Sequence, residues 1–248
     1  MEAQKEIAPS ALAGDFIYME ALPSTQLEVK RLLRAGMQPP FVVAADVQTQ
    51  GLGRFSRNWI SPPGGTYFSW ATRDIEKQGA SLVIAMALCR ALRKVAGCTP
   101  SIKWPNDIML AGRKLAGILT ESSGNAIITG IGINTFARGA LPDELADIAT
   151  TVPMDSSARR RIIESFFDYL CPLWDEFSMH GFASLVNEYI NMSIPLNTPI
   201  SVRCGNMTTS GHFAGIGTDG ELMLRLPNGK DTRAFIAGEA TLQRISIQ

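Results

Sequence analysis

Between Gln48 and Trp59 the chain reads Gln-Thr-Gln-Gly-Leu-Gly-Arg-Phe-Ser-Arg-Asn-Trp. Gly51 and Gly53 let backbone amides come close to a ligand, and Arg54 and Arg57 carry planar guanidinium forks that match phosphate oxygens. That is the make-up of an anion clamp with an aromatic, Trp59, at its end. Further on, Lys103-Trp104-Pro105-Asn106-Asp107 concentrates a cation, an aromatic ring, an amide and a carboxylate around a proline that keeps the preceding residue extended. Such polar density just after a strand suits a ligand site. Arg113-Lys114-Leu115-Ala116-Gly117 then opens another strand. A lysine there can hold a carboxylate and a phosphate together, while bare Gly117 lets a flat apolar ligand lie against the strand. Gly130 and Gly132 point to one face of a third segment that ends in Asn134, whose amide can both donate and accept toward a base edge.

Taken singly, each of these segments also fits an ordinary turn, hairpin or strand end. A dinucleotide-binding turn is excluded, because Gly51-Leu52-Gly53 lacks the third glycine and Ser61-Pro62-Pro63 forbids the helix that must follow. Lys+Arg and Asp+Glu balance at 23 each, so no global field is available to hold nucleic acid or an anionic membrane. Any anion must be gripped locally. With only His180 and His212, a histidine metal site or a Ser/His/Asp triad has little to build on. The four cysteines are scattered without a CxxC pair, which reads as reduced thiols in a cytoplasmic protein. No apolar run reaches the roughly 20 residues of a membrane span, and the N-terminus lacks a secretory signal.

The elements that must position these groups follow from periodicity. A chain of 248 residues, 46% hydrophobic, can bury one sizeable core and a small second one. A short strand is predicted at 16–19, then a helix capped by a box of Thr25 and Glu28 that ends near Gly36. A buried strand at 42–47 leads into the arginine-bearing stretch, read as a mobile loop whose arginines have no partner until an anion arrives. A strand at 66–71, a buried helix at 80–95, and extended segments at 101–104, 114–121 and 126–133 make a mixed sheet covered by helices. The helical pattern at 158–177 contains Pro172, which must kink or split it. A short helix follows at 182–190. From Pro199 onward short alternating strands with Asp219-Gly220 and Asn228-Gly229 turns predict a small β-barrel. The domain boundary falls in the proline-bearing stretch 193–198, dividing the chain into 1–194 and 195–248.

In this order, QTxGxGRxxRxW, SPPGG, KWPND, RKLAGILTE and GIGIN resemble the catalytic domain of the biotin protein ligase family. The resemblance runs from Phe16 to Asn134, and Gly215 to Gly220 with Gly238-Glu239 are similar to the family's C-terminal SH3-like barrel. It implies an α+β, class II synthetase-like fold. A biotin- and ATP-binding catalytic domain would precede the small barrel. It also implies ATP and Mg²⁺ as co-reactants, biotin as substrate, and a biotin carboxyl carrier domain of a biotin-dependent carboxylase as partner. Ser24, Thr25, Gln26 and Gln48 would line the ureido end of biotin, with Gly51, Leu52, Gly53, Gly117, Gly130 and Gly132 around the vitamin. Arg54 and Lys114 would face the biotin carboxylate and the α-phosphate. Arg57, Trp59, Asn106 and Asn134 would serve ATP, and Asp107 would act beside the reacting centre and the incoming lysine.

Two positions depart from the family pattern: Gln26 stands where asparagine is common, and Leu52 where a basic residue is usual. The regulatory members carry an N-terminal helix-turn-helix, and the few residues before the first strand leave no room for one, so no DNA partner is expected. Edge strands of the sheet could pair two subunits, which keeps a homodimer open. The rival readings are a lipoate protein ligase, disfavoured by the intact KWPND segment, and a non-catalytic biotin sensor.

Overall fold

The computed structural model describes residues 4–6, 12–73, 78–136 and 141–243. Strands β1 (Gln4–Glu6), β2 (Asp15–Leu22), β3 (Phe41–Gln48), β4 (Thr66–Thr72), β5 (Ser101–Lys103), β6 (Asp107–Leu110), β7 (Arg113–Ser123) and β8 (Ala126–Ile133) form one sheet in the order β1-β2-β3-β4-β8-β7-β6-β5. β2 and β3 run parallel, as expected for strands joined through a helix, and the other neighbours are antiparallel. The sheet is mixed and clad by helices, in agreement with the α+β reading.

Alternation along β3 shows why both faces must be covered. Phe41, Val43 and Ala45 enter a small cluster with Val29 of helix α1 (Thr25–Arg34), whereas Val42 and Ala44 enter the main core. That main core is roofed by helices α2 (Ala80–Ala96) and α3 (Ser156–His180). α2 stops at Gly97, whose φ of 61° is the left-handed conformation that glycine adopts without a Cβ penalty. α3 runs on through Pro172, so the proline does not split it. Phe166, Phe167 and Leu170 before the proline and Leu173 and Phe177 after it all bury in the same core. That shared packing outweighs the roughly 3 kcal/mol that an interior proline costs a helix.

The capping box is also absent. Ser24, not Thr25, is the N-cap residue, it makes no capping hydrogen bond, and Glu28 pairs with Arg31. Ser24 and Thr25 line the cleft described below, where the Thr25 hydroxyl meets Gln48 and Ser69, so this helix start gives up a cap to furnish a wall.

After a 3-10 turn (Phe182–Leu185) and helix α4 (Val186–Met192), strands β9 (Pro199–Cys204), β10 (Met207–Ile216), β11 (Leu222–Arg225), β12 (Thr232–Phe235) and β13 (Glu239–Leu242) make an antiparallel sheet ordered β12-β11-β10-β9-β13. It is open, not the closed barrel expected: β12 pairs with β11 and β13 with β9, and the two edges do not meet. The physical reason is that its apolar face has another partner. Ile200, Val202, Phe213, Leu224 and Ala240 belong to the same continuous core as α2 and α3. The Trp104 indole N–H also donates to the Gly220 carbonyl at 3.0 Å. β1, β6 and β13 are further strands, each too short for its alternation to register in sequence.

Candidate functional site

One face of β7 and β8, the start of α1, the 48–60 loop and β13 enclose a cleft of about 700 Å³. Its polar end is built where α1 meets β3 and β4. The Thr25 N–H donates to Gln48 Oε1 at 2.8 Å, and the Thr25 hydroxyl lies 2.8 Å from Ser69 Oγ. The Ser69 hydroxyl donates to Gln26 Oε1 at 3.1 Å, and Gln48 Nε2 donates to Ser61 Oγ at 2.9 Å. Ser24 Oγ is buried in this wall without a protein partner, although buried hydroxyls are normally paired. This end offers neutral donors and acceptors and no net charge.

The floor of the cleft is glycine. A Cβ on Gly132 would lie 2.4 Å from Trp59 Nε1, one on Gly117 3.0 Å from the same indole, and one on Gly130 2.6 Å from Gln26 Oε1. Side-chain-free strand positions therefore let the Trp59 ring and the Gln26 amide lie directly on the sheet. Trp59 Nε1 is itself buried and unpartnered.

The opposite end is cationic. Lys103 and Asp107 face each other across the β5–β6 hairpin, and Lys103 Nζ sits 2.7 Å from Asp107 Oδ2. Lys114 Nζ approaches the other carboxylate oxygen at 2.5 Å and lies 5.2 Å from the Trp59 ring centroid. Burial alone would raise the Asp107 carboxyl, but the charges of Lys114 and Lys103 outweigh it and hold it below the ordinary aspartate range. Arg54 donates to Asn106 Oδ1 at 2.8 Å and to the Gly238 carbonyl at 3.0 Å, while Asn106 Nδ2 donates to the Ile118 carbonyl at 2.8 Å. Three cations thus gather around Asp107, and over the whole cleft Arg54, Arg57, Lys103 and Lys114 face Asp107, Asp147 and Glu239, which leaves the lining net positive. Such a site attracts anions.

A neutral hydrogen-bonding pocket joined to a cationic one by a bare, aromatic-covered floor fits a ligand with a polar uncharged head, an apolar middle and an acid at the far end. The profile of the biotin/lipoate A/B protein ligase family matches residues 18–135, which supply most of the lining of this cleft. Among relatives, the biotin–[acetyl-CoA-carboxylase] ligase of Paracoccus denitrificans is 34% identical over 228 residues, covering 84% of this chain and 92% of that protein. The bifunctional ligase/repressor BirA of Bacillus spizizenii is 33% identical over 227 residues, covering 86% of this chain and 70% of its own. The chain belongs to the biotin protein ligase family. Among solved structures, the biotin protein ligase from Aquifex aeolicus in complex with biotin and ATP superposes with a TM-score of 0.82 at 26% identity, covering 93% of this chain and 99% of that one.

Of the residues that resemblance to the biotin protein ligases singled out, Ser24, Thr25, Gln26, Gln48, Leu52, Gly53, Arg54, Arg57, Trp59, Asn106, Asp107, Lys114, Gly117, Gly130, Gly132 and Asn134 all line the cleft. Gly51 does not. It is buried behind the loop, where a Cβ would lie 2.3 Å from the Trp59 carbonyl, so its bareness serves the turn. Asn134 spends its amide donors on the Thr150 carbonyl at 3.1 Å and the Lys114 carbonyl at 3.4 Å, tying the cleft wall together.

The expectation that the loop arginines wait without partners is overturned. Arg54 has Asn106 and Gly238, and Arg57 reaches Glu239 at 2.6 Å. These contacts join residues far apart in sequence, which no local pattern reveals. Inside the loop, Phe55 and Ser56 hold φ values of 57° and 58°, a left-handed backbone costly for side-chain-bearing residues. Leu52 pairs by a β-bridge with Asn58.

Sequence reasoning assigned no role to Lys103, Ser69, Glu121 or Glu239. Lys103, Glu121 and Glu239 had a signal, since they stand in the KWPND, RKLAGILTE and Gly238-Glu239 segments; Ser69 has none in its local sequence. Among the described residues no helix is long and apolar enough to cross a membrane.

Proposed function

We propose that the protein is an ATP-dependent biotin protein ligase. The biotin carboxylate attacks the α-phosphorus of ATP, pyrophosphate leaves, and biotinyl-5′-AMP is formed. The amine of an acceptor lysine on a biotin carboxyl carrier domain then attacks the acyl carbon, AMP leaves, and the amine gives up a proton. The observation that carries this reading is the charge division of the cleft. Neutral hydrogen-bonding groups gather at Ser24, Thr25, Gln26, Gln48 and Ser69, and cations at Arg54, Lys103 and Lys114. Biotin has that polarity, with a neutral ureido ring at one end and a carboxylate at the other.

The unpartnered Ser24 hydroxyl and the Thr25–Gln48 pair take the ureido group, and the valeryl chain runs beside the Trp59 indole, which itself covers Gly117 and Gly132. The acid arrives among Arg54, Lys103 and Lys114, where two anions, carboxylate and α-phosphate, must be held in contact. Catalysis there is positioning plus preorganised charge, and no protein nucleophile is needed. Asn106 acts by aiming Arg54, Asn134 by holding the wall that carries Lys114, and Arg57 and Trp59 close over the nucleotide.

Asp107 anchors the two lysines. Its depressed pKa makes it a weak proton acceptor, which supports a role in orienting the incoming ammonium. Among the described residues no group of three His, Cys, Asp or Glu side chains could cage a metal, and Asp107 is already engaged by two ammonium groups. Mg²⁺ enters with the substrate, as the Mg-ATP complex, in which the phosphates supply most of the ligands and one or two protein carboxylates suffice.

Incubation with Mg-ATP, an acceptor carrier domain and either biotin or lipoate, read by intact mass and pyrophosphate release, tests the proposal. Biotinylation of the acceptor is the expected result. Lipoylation in its place would reassign the vitamin, and biotin binding without pyrophosphate release would make the protein a sensor.

A further inference from the structure

The Gln26 amide does not stand alone in the cleft wall. Its Nε2 donates to Glu121 Oε2 at 3.0 Å and lies 3.4 Å from the Ile128 carbonyl, and Lys30 Nζ holds the same Glu121 oxygen at 2.8 Å. A carboxylate and a carbonyl can only accept, so the amide nitrogen has to face them. That choice determines the other end: Gln26 Oε1 points at the Ser69 hydroxyl and lies over the bare α-carbon of Gly130. Ser69 donates into one lone pair of that oxygen, which leaves the second for a ligand donor in the cleft wall that Gln26, Ser69 and Gly130 form. Glutamine has the length to span from α1 to β7, and the missing Cβ at Gly130 makes the room. Glu121 remains ionised for this task. Burial pushes its carboxyl up, but the hydrogen bonds from Lys30 and Gln26 and the Lys30 charge bring it below the ordinary glutamate range.

We propose that Glu121 is a specificity-positioning residue: by pinning the Gln26 amide it sets the hydrogen-bond polarity of the head pocket as an acceptor, so that the pocket selects a ring bearing an N–H donor. This rests on the biotin reading above and adds to it a residue that does not line the cleft. Without the carboxylate, only the longer 3.4 Å contact to the Ile128 carbonyl holds the amide nitrogen, so the amide can turn to offer N–H in place of C=O, and a ligand N–H then meets a donor.

The test compares biotin with its two cyclic-carbamate isosteres, in which one or the other ureido N–H is replaced by oxygen, by ATP–pyrophosphate exchange. In the unsubstituted protein one of the two isosteres has a KM at least about tenfold above that of biotin, the loss of a buried hydrogen bond plus an acceptor facing an acceptor. In Glu121→Gln the biotin KM rises and that discrimination falls to about threefold or less, while the KM for ATP is unchanged. Glu121→Asp, still acceptor-only, retains the discrimination. In a Gln26→Met background, which removes the amide, Glu121→Gln has no further effect on the biotin-to-isostere ratio, because positioning through Gln26 is non-additive.

Discrimination unchanged in Glu121→Gln, lost equally in Glu121→Asp, or altered additively in the Gln26→Met background would overturn the proposal. Failure of Glu121→Gln to fold while Glu121→Asp folds without discrimination would also overturn it, by assigning Glu121 to the scaffold. Exchange with no dependence on biotin in the unsubstituted protein would instead remove the functional reading on which the proposal stands.

Discussion

Arg57 and Glu239 are 182 positions apart in sequence, yet the Arg57 guanidinium lies 2.6 Å from both carboxylate oxygens of Glu239. Glu239 also receives Arg203 at 2.8 Å, and its neighbour Gly238 accepts from Arg54. The loop over the cleft is thus latched to the first residue of β13.

Breaking that latch should loosen the loop without unfolding the protein. Arg57 is more than half exposed, so Glu239→Gln is expected to cost stability no more than about 1 kcal/mol. Protease cleavage within 48–60 should rise several-fold in the ligand-free protein and return to the unsubstituted level with biotinyl-5′-AMP. The latch also has a pH sense. Burial raises the Glu239 carboxyl, but Arg57 and Arg203 pull it below the ordinary glutamate value of 4.5, so the latch is complete above that value and is lost as pH falls through the lowered pKa. Loop protection that is insensitive to Glu239→Gln would show that the pair contributes nothing to ordering.

Arg54→Ala and Lys114→Ala each remove a cation from the point where two anions must meet. Adenylation is expected to fall by about 100-fold or more in each, as for other preorganised charge-stabilising groups. Pyrophosphate exchange is the direct readout, and near-normal rates in both variants would sink the assignment of the cationic end.

Asp107→Asn leaves Lys103 and Lys114 facing each other without the carboxylate that bridges them. A destabilisation of about 2–3 kcal/mol is expected in denaturant unfolding, from the loss of two charge-assisted contacts at a largely buried site. Because the Asp107 carboxyl is depressed in the folded protein, its contribution is present above the ordinary aspartate pKa of 3.8 and disappears as pH drops through the lowered folded value. The stabilities of the variant and the unsubstituted protein should therefore converge in strong acid; a gap that persists there would assign the effect to packing.

Leu52 lines the cleft and lies on the loop strand that bridges Asn58. Leu52→Arg adds a cation facing the adenylate. Partly exposed charges contribute on the order of 1 kcal/mol or less, so release of preformed biotinyl-5′-AMP into excess competitor should slow by a few-fold. Preference between biotin and lipoate should not change, because residues of the neutral end carry it. Unchanged or faster release would mean that the side chain points away from the ligand.

Much of this architecture was legible in sequence wherever a signal is local. The buried helix from Ala80 with its stop at Gly97, the β8 strand from Ala126 to Ile133, and the ordered run of KWPND and RKLAGIL each depend on neighbours within a few residues. Periodicity and backbone restriction act over that range. Residue types along these segments also indicated which side chains carry charge toward a ligand. What only the tertiary structure decided are the pairings made across the sheet and between its two ends. Ser24 and Thr25 have the composition of a helix cap, but the wall needs their hydroxyls. Pro172 has the composition of a helix break, but the aromatic core on both sides holds α3 together. The C-terminal strands have the pattern of a barrel, but their apolar face is covered by the main core, so the sheet stays open. Glu121 on Gln26 and Glu239 on Arg57 arise because the fold brings separate strands and loops within hydrogen-bond reach, and neither periodicity nor propensity carries information about a partner so far away in sequence.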